Sequence, residues 1–172
     1  DRDTRNGGAV KMEKLDELVL RVIEIFREKG LSLALAESCT GGMIAETITN
    51  VAGASDIFYG SAVTYVNSAK EHILGVTRET LEKHGAVSSE CAAGMADGAR
   101  RVYGADVAMS VTGIAGPGGG SEAKPVGTVW FGLAAEDGVE TFRRRFNGDR
   151  AAVRRQTVAE VLRRLAEAGA RL

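Results

Sequence analysis

The chain has 172 residues, 44% of them hydrophobic, with a formal net charge of -1. That size suits one domain with a core of its own, and its apolar runs fall short of the roughly 18 residues a membrane-crossing helix needs. Two cysteines, Cys39 and Cys91, are too few for a disulfide framework, and no basic segment followed by an apolar one opens the chain, so the expectation is a cytosolic protein.

The charge is uneven. Residues 142–172 hold nine Arg against three acids, a net +6, which leaves -7 to the rest. Such a segment reads as a nucleic-acid patch, a site for a small anion, or a solvated helix face, and the overall charge argues against a general nucleic-acid binder.

In chain order, residues 1–10 are polar around Asn6-Gly7-Gly8 and are expected to form a frayed terminus or a linker remnant, with a single domain over residues 11–172. Leu15, Leu18, Val19, Val22, Ile23 and Phe26 recur at helical spacing from about Met12, and Gly30 stops the helix. Leu31, Leu33 and Leu35 then alternate with small residues as in a strand. A short helix over Gly42–Asn50, a strand over Ser61–Val66 and a helix from Ser68 follow. Thr77–His84 and Ser89–Tyr103 are helical and closed by Gly85 and Gly104. Asp106–Thr112 reads as a buried strand. After the glycine-rich run Gly113–Gly120, Val126–Ala135 and Val139–Phe146 predict a hairpin around Glu136-Asp137-Gly138. Asp149 can N-cap a last helix whose apolar face is Val153, Val158, Val161, Leu162 and Leu165. This order predicts a three-layer α/β/α domain with a mixed, mostly parallel sheet that includes a β-hairpin.

Ala36-Glu37-Ser38-Cys39-Thr40-Gly41-Gly42 drops from a strand into a flexible turn ahead of a helix. A serine there is presented beside backbone N–H groups, which suits an acyl-transfer nucleophile with Cys39, Thr40 and Gly41 as candidate oxyanion donors. Serine needs a base, and the two histidines, His72 and His84, lie in charged helical stretches, so attention moves to lysine. Lys70 falls in the first turn of a helix that Asn67 or Ser68 can cap. The helix dipole and partial burial both push such an amine below its usual pKa of about 10.4, towards a neutral base. Tyr65 could then relay a proton. The alternative is that Lys70 is a solvated first-turn residue and Tyr65 a packing aromatic.

Cys39 is either a rival nucleophile or a small buried residue. The loop after Thr112 lacks both nucleotide-binding fingerprints. It is either an anion cradle, with the Thr112 hydroxyl as donor and Arg150 nearby, or a tight crossover. Cys39, His72, His84 and Cys91 have no metal-ligand spacing, and no metal is expected.

Three segments together, AESCTGG over Ala36–Gly42, YGSAVTYVNSAK over Tyr59–Lys70 and TGIAGPGGGSEAKPVGTVWFGL over Thr112–Leu133, resemble the C-terminal domain family of the competence/damage-inducible protein CinA, which includes stand-alone nicotinamide-nucleotide amidohydrolases. The resemblance runs from about Lys14 to Leu165. It implies hydrolysis of the carboxamide of nicotinamide mononucleotide to nicotinic acid mononucleotide and ammonia, without a cofactor. It puts the family's nucleophile on Ser38, its lysine on Lys70 and its tyrosine on Tyr65. Its substrate loop falls on Thr112, Gly113, Gly116, Gly118 and Gly119, and its basic position on Arg150. It also implies a homo-oligomer and fusion to, or association with, an N-terminal CinA domain. The competing reading is a non-catalytic nucleotide-binding or regulatory module.

Overall fold

The computed structural model describes residues 9–172. Most of the terminal segment expected over residues 1–10 lies outside the described residues, and Ala9 and Val10 already belong to the first helix. The elements are α1 (Ala9–Lys29), β1 (Leu33–Glu37), α2 (Met43–Thr49), a 3-10 turn (Ala54–Asp56), β2 (Phe58–Val63), α3 (Asn67–Leu74), α4 (Arg78–His84), α5 (Ser89–Tyr103), β3 (Val107–Gly113), β4 (Thr128–Ala135), β5 (Gly138–Arg145) and α6 (Arg150–Arg171). The sheet order is β2-β1-β3-β4-β5. β1 is parallel to both its neighbours, while β3–β4 and β4–β5 are antiparallel, so the sheet is mixed and β4 alone runs against the others.

Every residue of β1 is buried, because helices cover both faces of the sheet. Alternation sorts side chains by size rather than by polarity. Leu33 and Leu35 join Met109, Val111 and Phe131 in a large core beneath α1, α2 and α6. Ala34 and Ala36 face the opposite side with Ala108, Met95 and Ala99. The small residues let α5 sit close to the sheet, where Ser110 Oγ donates to the Ala92 carbonyl at 2.6 Å. Gly98 of α5 is packed so closely against α3 that a Cβ there would run into the Leu74 carbonyl. The α3 that carries Lys70 is thereby seated on α5.

Two boundaries differ from expectation in ways that matter for the site. β2 stops at Val63 rather than Val66: Thr64 N makes one further bond to the Glu37 carbonyl, at 2.9 Å, and the chain then turns away. The N-cap of α3 is Val66, with no side-chain cap from Asn67 or Ser68. The hairpin pairs Ala135 with Gly138 as expected. Asp149 caps α6 by accepting from Ala152 N at 2.8 Å. No helix among the described residues is long and apolar enough to cross a membrane.

Candidate active site

The end of β1 meets the start of α2 in a tight turn. Gly41 N donates back to the Ser38 carbonyl at 3.0 Å, and Met43 N to the Thr40 carbonyl at 2.9 Å. Gly41 and Gly42 take φ of 58° and 103°, a left-handed pair that a side chain would strain, which is why the sequence places two glycines there. The turn is anchored from below by Glu37, which is fully buried. Its carboxylate accepts from Thr40 Oγ1 at 2.7 Å, Ile44 N at 2.9 Å, Ala45 N at 3.3 Å and Ser61 Oγ at 2.7 Å. One side chain thus ties β1, the turn, the start of α2 and β2 together. Four donors around an ionised oxygen pair are what make a buried carboxylate tolerable.

Ser38 follows directly. Lys70 Nζ lies 3.0 Å from Ser38 Oγ, 2.7 Å from the Thr64 carbonyl and 3.1 Å from the Tyr65 carbonyl. The lysine is 1% exposed, and none of the ion pairs among the described residues includes it. Burial holds its pKa below the ordinary 10.5. The nearby Cys91 and Cys39 sulfurs oppose this only as thiolates, and burial pushes those thiols up to about 11 and about 12. A neutral amine has two N–H donors and one lone pair. In the structure Nζ donates to all three oxygens; in the neutral form Thr64 O and Tyr65 O would take its two hydrogens and leave the lone pair for the Ser38 hydroxyl. The early end of β2 is what frees those two carbonyls.

Cys39 is buried in the core beneath α1, α2 and α6, and its thiol is held protonated, so it has the character of a packing residue rather than of a nucleophile. Thr40 is buried with its hydroxyl given to Glu37. The Gly41 N–H is engaged in the turn, whereas the N–H groups of Cys39 and Thr40 make no backbone–backbone hydrogen bond among the described residues. On the far side of the turn Arg154 of α6 donates through Nε to the Cys39 carbonyl at 3.2 Å and through Nη2 to the Thr40 carbonyl at 2.9 Å.

Ser38 and Lys70 open onto a cleft of about 290 Å3. Cys39, Tyr65, Thr112, Gly113, Gly116, Gly118, Gly119 and Arg150 line it as well, whereas Thr40, Gly41 and both histidines do not. Two of the expected side chains make other contacts in the structure. The Tyr65 side chain is 62% exposed and its hydroxyl accepts from Arg150 Nη2 at 3.1 Å, so it is the tyrosine's main-chain carbonyl, not its phenol, that meets Lys70. The Thr112 hydroxyl is committed to the Ala86 carbonyl at 2.9 Å, where it fastens the segment before α5. Arg150 Nη1 donates to the Gly116 carbonyl at 2.9 Å, bridging the glycine-rich loop to Tyr65 across the mouth of the cleft. Arg150 takes part in none of the ion pairs among the described residues. The guanidinium therefore keeps free N–H groups and charge for an anion.

Sequence reasoning passed over Glu37 and gave Arg154 no part in the turn. A carboxylate in an otherwise apolar buried strand was the available signal for the first. An arginine bordering the apolar face of α6 was the signal for the second.

The sequence profile of the CinA C-terminal domain matches residues 15–168. A nicotinamide-nucleotide amidohydrolase PncC from Enterobacter agglomerans is 52% identical over 145 residues, 84% of this chain and 88% of that protein. A CinA-like protein from Geobacter sulfurreducens is 51% identical over 158 residues, 92% of this chain but 38% of that protein, so the chain spans well under half of that longer relative. Among solved structures, a competence-damaged protein (CinA) superfamily protein from Klebsiella pneumoniae superposes with a TM-score of 0.88 at 39% identity, covering 92% of this chain and 99% of that one. With fold, sequence and the order of its motifs in agreement, this chain belongs to the CinA C-terminal domain family.

Proposed function

We propose that this chain is an amidohydrolase that cleaves the carboxamide of nicotinamide mononucleotide through Ser38 and a neutral Lys70. The observation that carries the reading is the buried lysine amine 3.0 Å from the serine hydroxyl, held by two carbonyls and by no carboxylate. The activity named for the Enterobacter agglomerans relative supports the substrate.

As Ser38 Oγ attacks the amide carbon, its proton passes to Lys70 Nζ. The oxyanion is received by the unengaged N–H groups of Cys39 and Thr40, each such donor being worth roughly 3–4 kcal/mol of barrier. The Lys70 ammonium, unfavourable in its buried site, returns the proton to the departing nitrogen and ammonia leaves. A water then attacks the ester, again with Lys70 as base, and nicotinic acid mononucleotide is released.

The phosphate of the substrate would sit at the mouth, between Arg150, the Tyr65 hydroxyl and the loop Gly116–Gly119. Ammonia release from nicotinamide mononucleotide tests the proposal. Wild type should release it, while Ser38→Ala and Lys70→Ala should not, with fold and nucleotide binding retained. A folded wild type that binds the nucleotide and releases nothing would instead indicate a binding module.

A further inference from the structure

Arg154 reaches the nucleophile turn from α6, more than a hundred residues away in sequence, and holds two successive carbonyls, those of Cys39 and Thr40. Its guanidinium also lies against the face of Gly41, 3.6 Å from where a Cβ would stand. Nothing in the reaction described above calls for this contact, and no carboxylate among the described residues pairs with it.

In a trans peptide the carbonyl and the following N–H point in opposite directions. A guanidinium on the Cys39 carbonyl therefore turns the Thr40 N–H away from α6, and the charge on that oxygen polarises the same N–H. The second contact does the same for the peptide between Thr40 and Gly41, whose N–H is spent on the Ser38 carbonyl and so locks the turn. Arg154 thus holds the carbonyls of both peptides, and of their two N–H groups only that of Thr40 is left without an acceptor among the described residues. Resting on the amidohydrolase reading for its purpose, we infer that Arg154 is a positioning residue for the oxyanion site, orienting and polarising the Thr40 N–H without touching substrate.

The labelling arm of the test does not require that the substrate be known. A fluorophosphonate phosphonylates an activated serine: the Ser38 Oγ–P bond forms, the P–F bond breaks, fluoride leaves and Lys70 takes the proton. The developing charge on the phosphoryl oxygen needs the same donors. Labelling rates of Ser38 are compared in wild type, Arg154→Met and Arg154→Lys, alongside binding of nicotinic acid mononucleotide and the urea midpoint. Losing an oriented donor should slow labelling of Arg154→Met about 10- to 100-fold. Arg154→Lys, which keeps the charge but loses the two-pronged geometry, should fall in between. Product binding should fall by far less than labelling, since the planar carboxylate of the product develops no tetrahedral oxyanion. Should Arg154→Met not fold, the lysine variant alone decides, by a loss of labelling that exceeds its loss of product affinity.

Equal labelling in all three proteins, or equal losses in labelling and product binding, would overturn the inference. So would a wild type whose Ser38 is not labelled at all. Failure of the substrate reading is separate, and appears as labelling of Ser38 without ammonia release from nicotinamide mononucleotide.

Discussion

Glu37→Gln tests whether the nucleophile turn is held from below. The carboxylate accepts four hydrogen bonds, two of them from the backbone of α2. The amide supplies one oxygen and one NH2. If the oxygen takes the side of Thr40 and Ile44, the NH2 faces Ala45 N–H; in the flipped orientation it faces Ile44 N–H. The hydroxyls of Thr40 and Ser61 can rotate, but a backbone N–H cannot. One buried donor is therefore orphaned in either orientation, at about 1–3 kcal/mol, and the remaining bonds lose their charge assistance, bringing the total to about 2–4 kcal/mol. With a slope of about 2 kcal/mol per molar urea, the unfolding midpoint should fall by about 1–2 M. Trp130 is the only tryptophan and, half-buried on β4, reports the transition by fluorescence. Glu37→Ala should be worse, because all four donors lose their partner. A Glu37→Gln midpoint within about 0.3 M of wild type would refute the claim that this carboxylate anchors the turn.

Lys70→Met should abolish ammonia release and change the pH dependence of stability. The folded lysine has a lowered pKa, so between that value and 10.5 the unfolded chain binds more protons and wild-type stability rises with pH. The stability difference between wild type and Lys70→Met should therefore move in favour of wild type as pH rises towards 9, by up to about 1.4 kcal/mol per pH unit; a flat difference would contradict a lowered pKa. Above pH 9.0 the raised Cys39 and Cys91 thiols act in the opposite sense in both proteins. Cys39→Ala should keep turnover within about threefold, because a thiol held up to about 12 supplies no nucleophile; loss of turnover beyond about a hundredfold in the folded variant would move the chemistry to sulfur. Gly98→Ala should cost about 1–3 kcal/mol, since its Cβ overlaps the Leu74 carbonyl, and should lower kcat as α3 shifts with Lys70; thermal unfolding and ammonia release check both.

The elements on which the site stands were legible because their signals are local. The change of period at Ala36–Gly42, the paired glycines and the capping Asp149 each act within a few residues. The family-matching segments likewise pointed to Ser38 and Lys70 before their contact was visible. What escaped depends on distant partners. Spacing alone puts Tyr65 near Lys70, yet only the path of the chain after Thr64 shows that the carbonyl makes the contact while the phenol turns to Arg150. The end of β2 was misjudged for the same reason, since Val66 has every strand preference and is overruled by the turn that delivers Thr64 O and Tyr65 O to the lysine. Arg154 borders the apolar face of α6, but so do other arginines of that helix, and two of them, Arg163 and Arg164, pair with Glu160 instead. Its partners lie more than a hundred residues away.

The central claim is that an ester forms on Ser38 while Lys70 carries the proton. Acid-quenching wild type during turnover of nicotinamide mononucleotide, followed by peptide mass mapping, addresses it most directly. The account predicts a nicotinic acid mononucleotide adduct on Ser38, absent from Ser38→Ala; an adduct on Cys39, or turnover by Ser38→Ala, would contradict it.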